Sequence, residues 1–529
     1  MFSSLLSNYL PRFVAAMPYK TETVSFSALI VLARFVRRML ECVGTNFSDT
    51  MKCSIWKYVL ALAATGAVGT VMLGVSKVAV DSARSGEVSP ELSGSDAEQV
   101  AQAILRQKCA DCHGPEASYS KFWNALSFGK LARDVDGAQR AFKMVPDLEI
   151  RSANVDYLKM DHVLRTRRMP PASYTMVHLG SRLTPLDVSI LRNRYKEQGA
   201  ELRRFAPISP ASEPETEWDR ARIRLGQLLY HNGALSTNNQ ISCASCHDLT
   251  KGGTDNRSKS EGVPGADGLP QLGGVNAPTT YNTAGNIRQF WDGRAADLKE
   301  QAGGPPLNPV EMGYSKPEDW AEIADKLAQD DEIRTLFALV YGGDGITGDT
   351  ITDAIAAFEK TLVTPDSAFD AYLKGNKNAL TEKQKKGLES FVNRGCATCH
   401  SGPALGGISF EYINTHGDMR ASAAPENYQE GAFGLRDFTK READKDMFRV
   451  PVLRNVALTA PYFHTGSVQT LEEAVRVMCD SQVGGSVSDA EVESIAAFLR
   501  AQTGKLNGRP LQALKPEETN PYLAKPTAQ

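Results

Sequence analysis

Three strings of one pattern constrain this chain more than anything else in it: Cys109-Ala-Asp-Cys112-His113, Cys243-Ala-Ser-Cys246-His247 and Cys396-Ala-Thr-Cys399-His400. Cys-x-x-Cys-His is the attachment signature of a c-type haem. Two thiols add across the porphyrin vinyl groups, and the adjacent imidazole becomes the proximal iron ligand. A single Cys-x-x-Cys reads equally well as a redox or zinc pair. A histidine directly after the second cysteine at all three places favours haem, so three covalently bound c-type haems are expected. The expected fold is mostly α: three class-I-cytochrome-c-like haem domains with long loops, plus an N-terminal transmembrane or signal helix.

Lys and Arg number 59 against 62 Asp and Glu, a net charge of −3, which gives no bulk attraction to nucleic acid. Six of the nine cysteines sit in the motifs. Cys42, Cys53 and Cys479 remain, so there is no disulfide framework, and Cys479 reads as a small buried residue.

The N-terminal part carries an address. Lys52 and Lys57 flank the start of an uncharged apolar run, Tyr58 to Val75, about long enough to span a hydrocarbon core. Basic residues before the run place its start in the cytoplasm and export the rest. The expectation is a periplasmic protein held to the inner membrane by this helix; a cleaved signal peptide is the alternative. Met51-Lys52 resembles a true start, so residues 1–50 read as a misassigned or disordered extension, with 51–80 the anchor or signal segment and 81–96 a linker.

The remainder divides into an N-terminal monohaem domain (97–203), a middle haem domain (207–362), a third haem domain (363–505) and a Pro-rich tail (506–529). Each motif follows a helix with a start signal: Ser95-Asp-Ala-Glu98, Thr216-Glu-Trp-Asp219 and Thr381-Glu-Lys-Gln384. Each unit also ends in a helical pattern. Ile-Ala-Ala-Phe recurs at 355–358 and 495–498, marking the second and third units as internal relatives.

The far side of each iron decides between electron transfer and chemistry. Met478, just before the last helix, is the candidate sixth ligand in the third unit; the plainer reading is a core methionine. In the first unit, Met169 sits before Pro170 and Pro171, which stiffen its loop, while Met160, Met176, His162 and His178 compete. No histidine lies between His247 and His400, and Met312 is the single methionine there. The middle haem is therefore expected to be five-coordinate, open to a small oxidant, unless Met312 or another domain closes it. Near it stand Asn276, Trp291, Arg294, Gln301 and Glu311. Peroxide cleavage needs a carboxylate to move a proton from the near oxygen to the leaving one. Glu311 suits that task, an amide at Gln301 could orient peroxide, and Trp291 could relay electrons. A surface Glu and a core Trp are the bland alternatives.

From about Pro207 to Gly504 the chain resembles the bacterial dihaem cytochrome c peroxidases. The strings "LGQLLYHNGALSTNNQISCASCH", "NAPTTYN", "QFWDGRAADL", "EQAGGPPLNPVEMG", "FEKTLVTPDSAFDAYLKG", "GCATCHSGPALGG" and "FRVPVLRNVALTAPYFHTGSVQTLEEAVRVM" carry the resemblance. With its added N-terminal unit and anchor, the whole resembles the membrane-bound three-haem quinol peroxidases. The resemblance implies reduction of hydrogen peroxide to water at the His247 haem, with Gln301 and Glu311 on its open face. It also implies an electron store at the His400 haem with Met478, and Trp291 between them. Electrons would come from quinol or a small c-type cytochrome through the first haem. One calcium ion would be held by Asn276, Thr459 and Pro461, since amide and carbonyl oxygens suit calcium. His464 also matches a family position near the interface. Many family members carry a closing histidine where this chain has Val263, so no reductive activation is expected. A homodimer is compatible with the sequence. The alternatives are a non-enzymatic three-haem electron conduit and a same-fold enzyme oxidising a protein substrate. Members of that last class carry a tyrosine where Met478 stands.

Overall fold

The computed structural model describes residues 100–101, 103–105, 162–164, 182–191, 205–415, 419 and 432–523. The first Cys-x-x-Cys-His string, Met169 and the apolar run 58–75 lie outside them. Among the described residues no helix is long and apolar enough to cross a membrane. Short helical stretches at 100–101, 103–105, 162–164 and 185–191 supply a small core of Ala101, Ile104, Leu105, Leu164, Ile190 and Leu191.

The middle unit begins with α1, Glu217–Tyr230. Thr216 caps it in a reciprocal box with Asp219, and Glu217 and Asp219 put negative charge in the first turn. Its buried stripe includes Leu225, Leu228 and Leu229. Around it lie α2 (Leu298–Gly303), α3 (Trp320–Leu327), α4 (Asp331–Tyr341) and α5 (Gly348–Glu359). They contribute Ala302, Ile323, Leu327, Ile333, Phe337, Ile351, Ala354 and Ile355 to one core.

The third unit repeats the plan. After α6 (Ala368–Leu373), α7 (Glu382–Arg394) is capped by Thr381 and Gln384, as its sequence signal predicts, and ends on left-handed Gly395. Helices α8 (Leu471–Met478) and α9 (Asp489–Arg500) close a second core through Phe391, Leu471, Val475, Ile495 and Phe498.

The Ile-Ala-Ala-Phe repeat has a structural cause. Gly226 on α1 faces α5 so closely that a Cβ there would lie 1.9 Å from the Ala354 carbonyl oxygen and 2.8 Å from Phe358 Cβ. Gly387 on α7 faces α9 in the same way, 1.8 Å from Ser494 O and 2.9 Å from Phe498 Cβ. Both units thus pack a glycine of the helix before the motif against the carbonyl of the helix that ends the unit.

Sheet is sparse. β1 (Glu261–Pro264) pairs antiparallel with β2 (Pro270–Leu272), and β3 (Phe410–Tyr412) with β4 (Met447–Arg449). The two larger units exchange their ends. Phe205, ahead of α1, packs edge-on to Phe369 of the second core at 5.5 Å. Leu506 and Leu511, beyond α9, are buried in the first core, and Asn232 donates to the Tyr522 hydroxyl at 2.9 Å. Arg454 and Asp370, both fully buried and 2.8 Å apart, anchor the crossing strand: Arg454 reaches Ala206 O and Asp370 accepts from Ile208 N.

Candidate active site

Cys243–Cys246 forms a single helical turn that delivers His247 directly after it. Cys396–Thr398 does the same for Cys399 and His400 with a tighter turn. None of the four cysteines forms a disulfide. Burial pushes Cys246 up to about 11 and Cys396 to about 12, and Cys243 higher still, so none of these three is poised as a thiolate. That suits thiols destined for thioethers better than a zinc or redox pair. Each proximal imidazole is oriented by a backbone carbonyl: His247 Nδ1 lies 3.3 Å from Gly253 O, and His400 Nδ1 lies 3.1 Å from Leu405 O. With Nδ1–H donating, Nε2 keeps its lone pair for a metal. Burial lowers both imidazoles, His400 to about 4, which holds them in the neutral, ligating form. The residues fit c-type haem at both motifs.

Helix α2 carries Gln301, half-buried, beside core residue Ala302. The loop that follows turns back and presents Glu311. Its Oε1 accepts from Asn308 Nδ2 at 2.9 Å. Burial raises the Glu311 carboxyl above the usual range, against the opposing pull of the Arg294 charge and the Asn308 bond. Its charge in turn acts on the Cys246 thiol, which puts it beside the attachment motif. A carboxyl raised toward neutrality can both take and return a proton. β1 flanks it: Val263 N donates to Glu311 O at 2.9 Å, and the Val263 side chain is buried. The position at which many family members carry a closing histidine is thus a strand residue packed against the Glu311 loop. Met312, the methionine that could have closed the middle haem, is 3% exposed and belongs to the first apolar core.

Behind the motif, Tyr230 donates its hydroxyl to His247 O at 2.7 Å. Glu359, the last residue of α5, is buried nearby; burial pushes its carboxyl up to about 8. In the sequence neither differs from an ordinary core tyrosine or surface glutamate.

Trp291 donates Nε1–H to Asn276 O at 2.9 Å, and Asn276 N donates to His464 O at 2.8 Å. The His464 ring meets Trp291 edge-on at 6.2 Å and stacks on Phe448 at 4.1 Å. One ladder therefore links Trp291 of the middle unit to β4 of the third. The three expected calcium residues lie at this junction. The Asn276 side chain donates to Arg257 O, while Asn256 donates to Leu458 O and Ala460 O, the carbonyls flanking Thr459, next to Pro461. Asn256, in the left-handed region at φ 58°, was missed. An asparagine after a threonine and an aspartate gives no signal of a contact two hundred residues away. Met478 ends α8, half-buried, one residue before Cys479, which is buried as expected.

Comparison with known proteins follows the same lines. A family model described as di-haem cytochrome c peroxidase matches residues 220–378. The chain is 39% identical over 445 residues to cytochrome c peroxidase Ccp of Escherichia coli K12, covering 80% of this chain and 92% of that protein. The chain belongs to the di-haem cytochrome c peroxidase family. It is a haem peroxidase. Cytochrome c551 peroxidase of Nitrosomonas europaea is 43% identical over 321 residues, 60% of this chain and 91% of that one. Methylamine utilization protein MauG of Paracoccus denitrificans is 32% identical over 308 residues, 52% of this chain and 79% of that one. A second family model, described as a haem-binding domain, matches residues 70–197 of this peroxidase, the stretch that includes Cys109, Cys112 and His113.

Proposed function

We propose that this peroxidase reduces hydrogen peroxide to two waters at the His247 motif. The observation that carries the reading is Glu311: a buried carboxyl raised above its ordinary range, beside the attachment cysteine, on a loop whose neighbouring strand offers Val263 and no histidine. The haem at His247 supplies the iron that binds peroxide and accepts its oxidising equivalents. Glu311 takes the proton from the near oxygen and returns it to the far one, which leaves as water. Gln301 orients the peroxide with its amide, and the β1 loop keeps bulk water away. Two electrons and two protons complete the reaction, so that H2O2 + 2e− + 2H+ gives two H2O.

The His400 motif, closed by Met478, serves as electron store, and Trp291 links it to the peroxide site. The 276–291–464 ladder supports that role, because it holds the indole by its N–H between the two units. A calcium ion held by Asn276, Thr459 and Pro461 would brace the same junction. A third covalent haem sits on Cys109, Cys112 and His113, with Met169 as far-side ligand, in a 97–203 domain; the motif and the haem-binding-domain match support it. The units at 207–362 and 363–505 carry the other two. With the 58–75 run as inner-membrane anchor and the haems in the periplasm, quinol is the favoured donor and a small c-type cytochrome the other.

The test is anaerobic turnover by the oxidised holoprotein, started with peroxide and without pre-reduction, alongside haem content per chain. Immediate quinol oxidation with three haems per chain supports the full reading. Activity with reduced cytochrome c alone reassigns the donor. Silence with both donors overturns the open site.

A further inference from the structure

Two arginines five residues apart are fully enclosed at the junction of the two larger units, and their surroundings differ. Arg454 uses every arm: Pro403 O, Ser367 Oγ, Ala206 O and the Asp370 carboxylate all accept from it. Arg449, the last residue of β4, is 3% exposed and lacks such a set. Its backbone N donates to Trp291 O and its Nε to Phe290 O, both at 3.0 Å. Its Nη1 is buried with no hydrogen-bond partner, and among the described residues no carboxylate pairs with it. Burial alone acts on its titration and pushes it down to about 10, with no neighbouring acid to offset the loss of water.

An arginine stays charged in a folded protein, and a buried cation persists where an anion meets it. Among the described residues none lies at Nη1. Beyond β4 the chain runs on to Pro451, whose carbonyl approaches the His400 ring, so Arg449 lies two residues along the backbone from a contact to a proximal imidazole. A covalent haem brings two carboxylates of its own on its propionate side chains. Planar, forked guanidinium is the donor best matched to such a group.

We propose that Arg449 anchors a haem propionate at the junction of the two units, joining that carboxylate to the backbone of Phe290 and Trp291 and holding up the haem's reduction potential. The inference rests on c-type haem at His247 and His400. A fixed cation stabilises the reduced haem, which carries one positive charge fewer, and it keeps the propionate ionised across the working pH range. Arg449 is a positioning residue: it fixes the cofactor edge and the Trp291 backbone together in a single side chain.

The experiment compares Arg449→Met, Arg449→Gln and Arg449→Lys as purified holoproteins. Haem content by pyridine haemochrome comes first; its loss in the wild-type protein itself would sink the haem reading, not this one. Optical redox titration from pH 5 to 8 then reads each haem. In the Met and Gln variants the reduction equilibrium of one haem should fall at least tenfold, 59 mV for one electron, with a new dependence on pH as the freed propionate takes up a proton. Arg449→Lys, which keeps the charge, should stay within threefold of wild type. Which haem moves identifies whose propionate is held. Unchanged potentials at both haems, with haem content intact, would overturn the proposal. So would an equal shift in the Lys variant, because that would trace the effect to packing. If Met and Gln fail to give holoprotein, the Lys variant decides by whether its potentials stay flat with pH.

Discussion

Replacing Arg454 by Met should destabilise the third unit strongly, and replacing its partner Asp370 by Asn should destabilise it more. The side chains of Arg454 and Asp370 are both 0% exposed. After Arg454→Met, the Asp370 carboxylate keeps three donors, Ile208 N, Ser367 N and Ser367 Oγ, at 2.8–3.0 Å. The reverse change, Asp370→Asn, leaves a buried guanidinium with carbonyl and hydroxyl acceptors but no anion. Breaking one side of a buried pair costs about 3–5 kcal/mol. The better-solvated anion puts Arg454→Met near 3 and Asp370→Asn near 5 on that rough scale. In urea, at about 2 kcal/mol per molar for a unit of this size, the first loss moves the midpoint by about 1.5 M. The double variant removes both charges, so it should fall short of the sum by about 2 kcal/mol or more. The assay is urea unfolding of the holoprotein followed at the haem Soret band, with hydrogen exchange of 367–374 to localise the change. A midpoint shift under about 0.3 M, or strict additivity in the double variant, would refute the view that a desolvated charge pair joins Ala206–Ile208 to the second core.

Glu311→Gln should lower kcat by about 10²–10⁴-fold while peroxide-independent redox spectra stay unchanged; steady-state kinetics within tenfold of wild type would remove Glu311 from proton transfer. Glu359→Gln should change how stability depends on pH. The folded carboxyl is raised from 4.5 to about 8, so the folded state holds the proton more tightly. That contribution is fully present below 4.5 and is lost as pH rises through 8. The variant should therefore gain on wild type between pH 5 and 9, by at most about 5 kcal/mol, read as a difference in Tm; parallel Tm profiles would contradict it. Gly226→Ala and Gly387→Ala should each cost about 2–4 kcal/mol by forcing α1 from α5 and α7 from α9, measured as lost Tm. A neutral result at either would mean that the two helices do not approach as closely as the backbone contacts state.

The local chemistry of this chain was open to reading. The capping signals at Thr216–Asp219 and Thr381–Gln384 became helix starts because a cap involves residues three apart. The Ile-Ala-Ala-Phe repeat reflected one packing contact used twice. Glu311 and Trp291 stood out from a dense set of polar and aromatic residues after the middle motif because a carboxylate and an indole suit proton and electron transfer. Arg449, Asn256 and Glu359 did not stand out, since an Arg, an Asn or a Glu is ordinarily a solvated surface group.

Covalent attachment is dictated by adjacency: two thiols and an imidazole within five residues need no tertiary partner to be recognised, so the motifs, their helices and their repetition were determined by sequence alone. Desolvation is set by what arrives from elsewhere in the chain. Arg454 meets Asp370 across 84 residues and Arg449 meets Phe290 across 159. Whether such a group is a solvated charge, a clamp or an anchor follows from the water it has lost and the partners that replace it. Only the tertiary structure decides that.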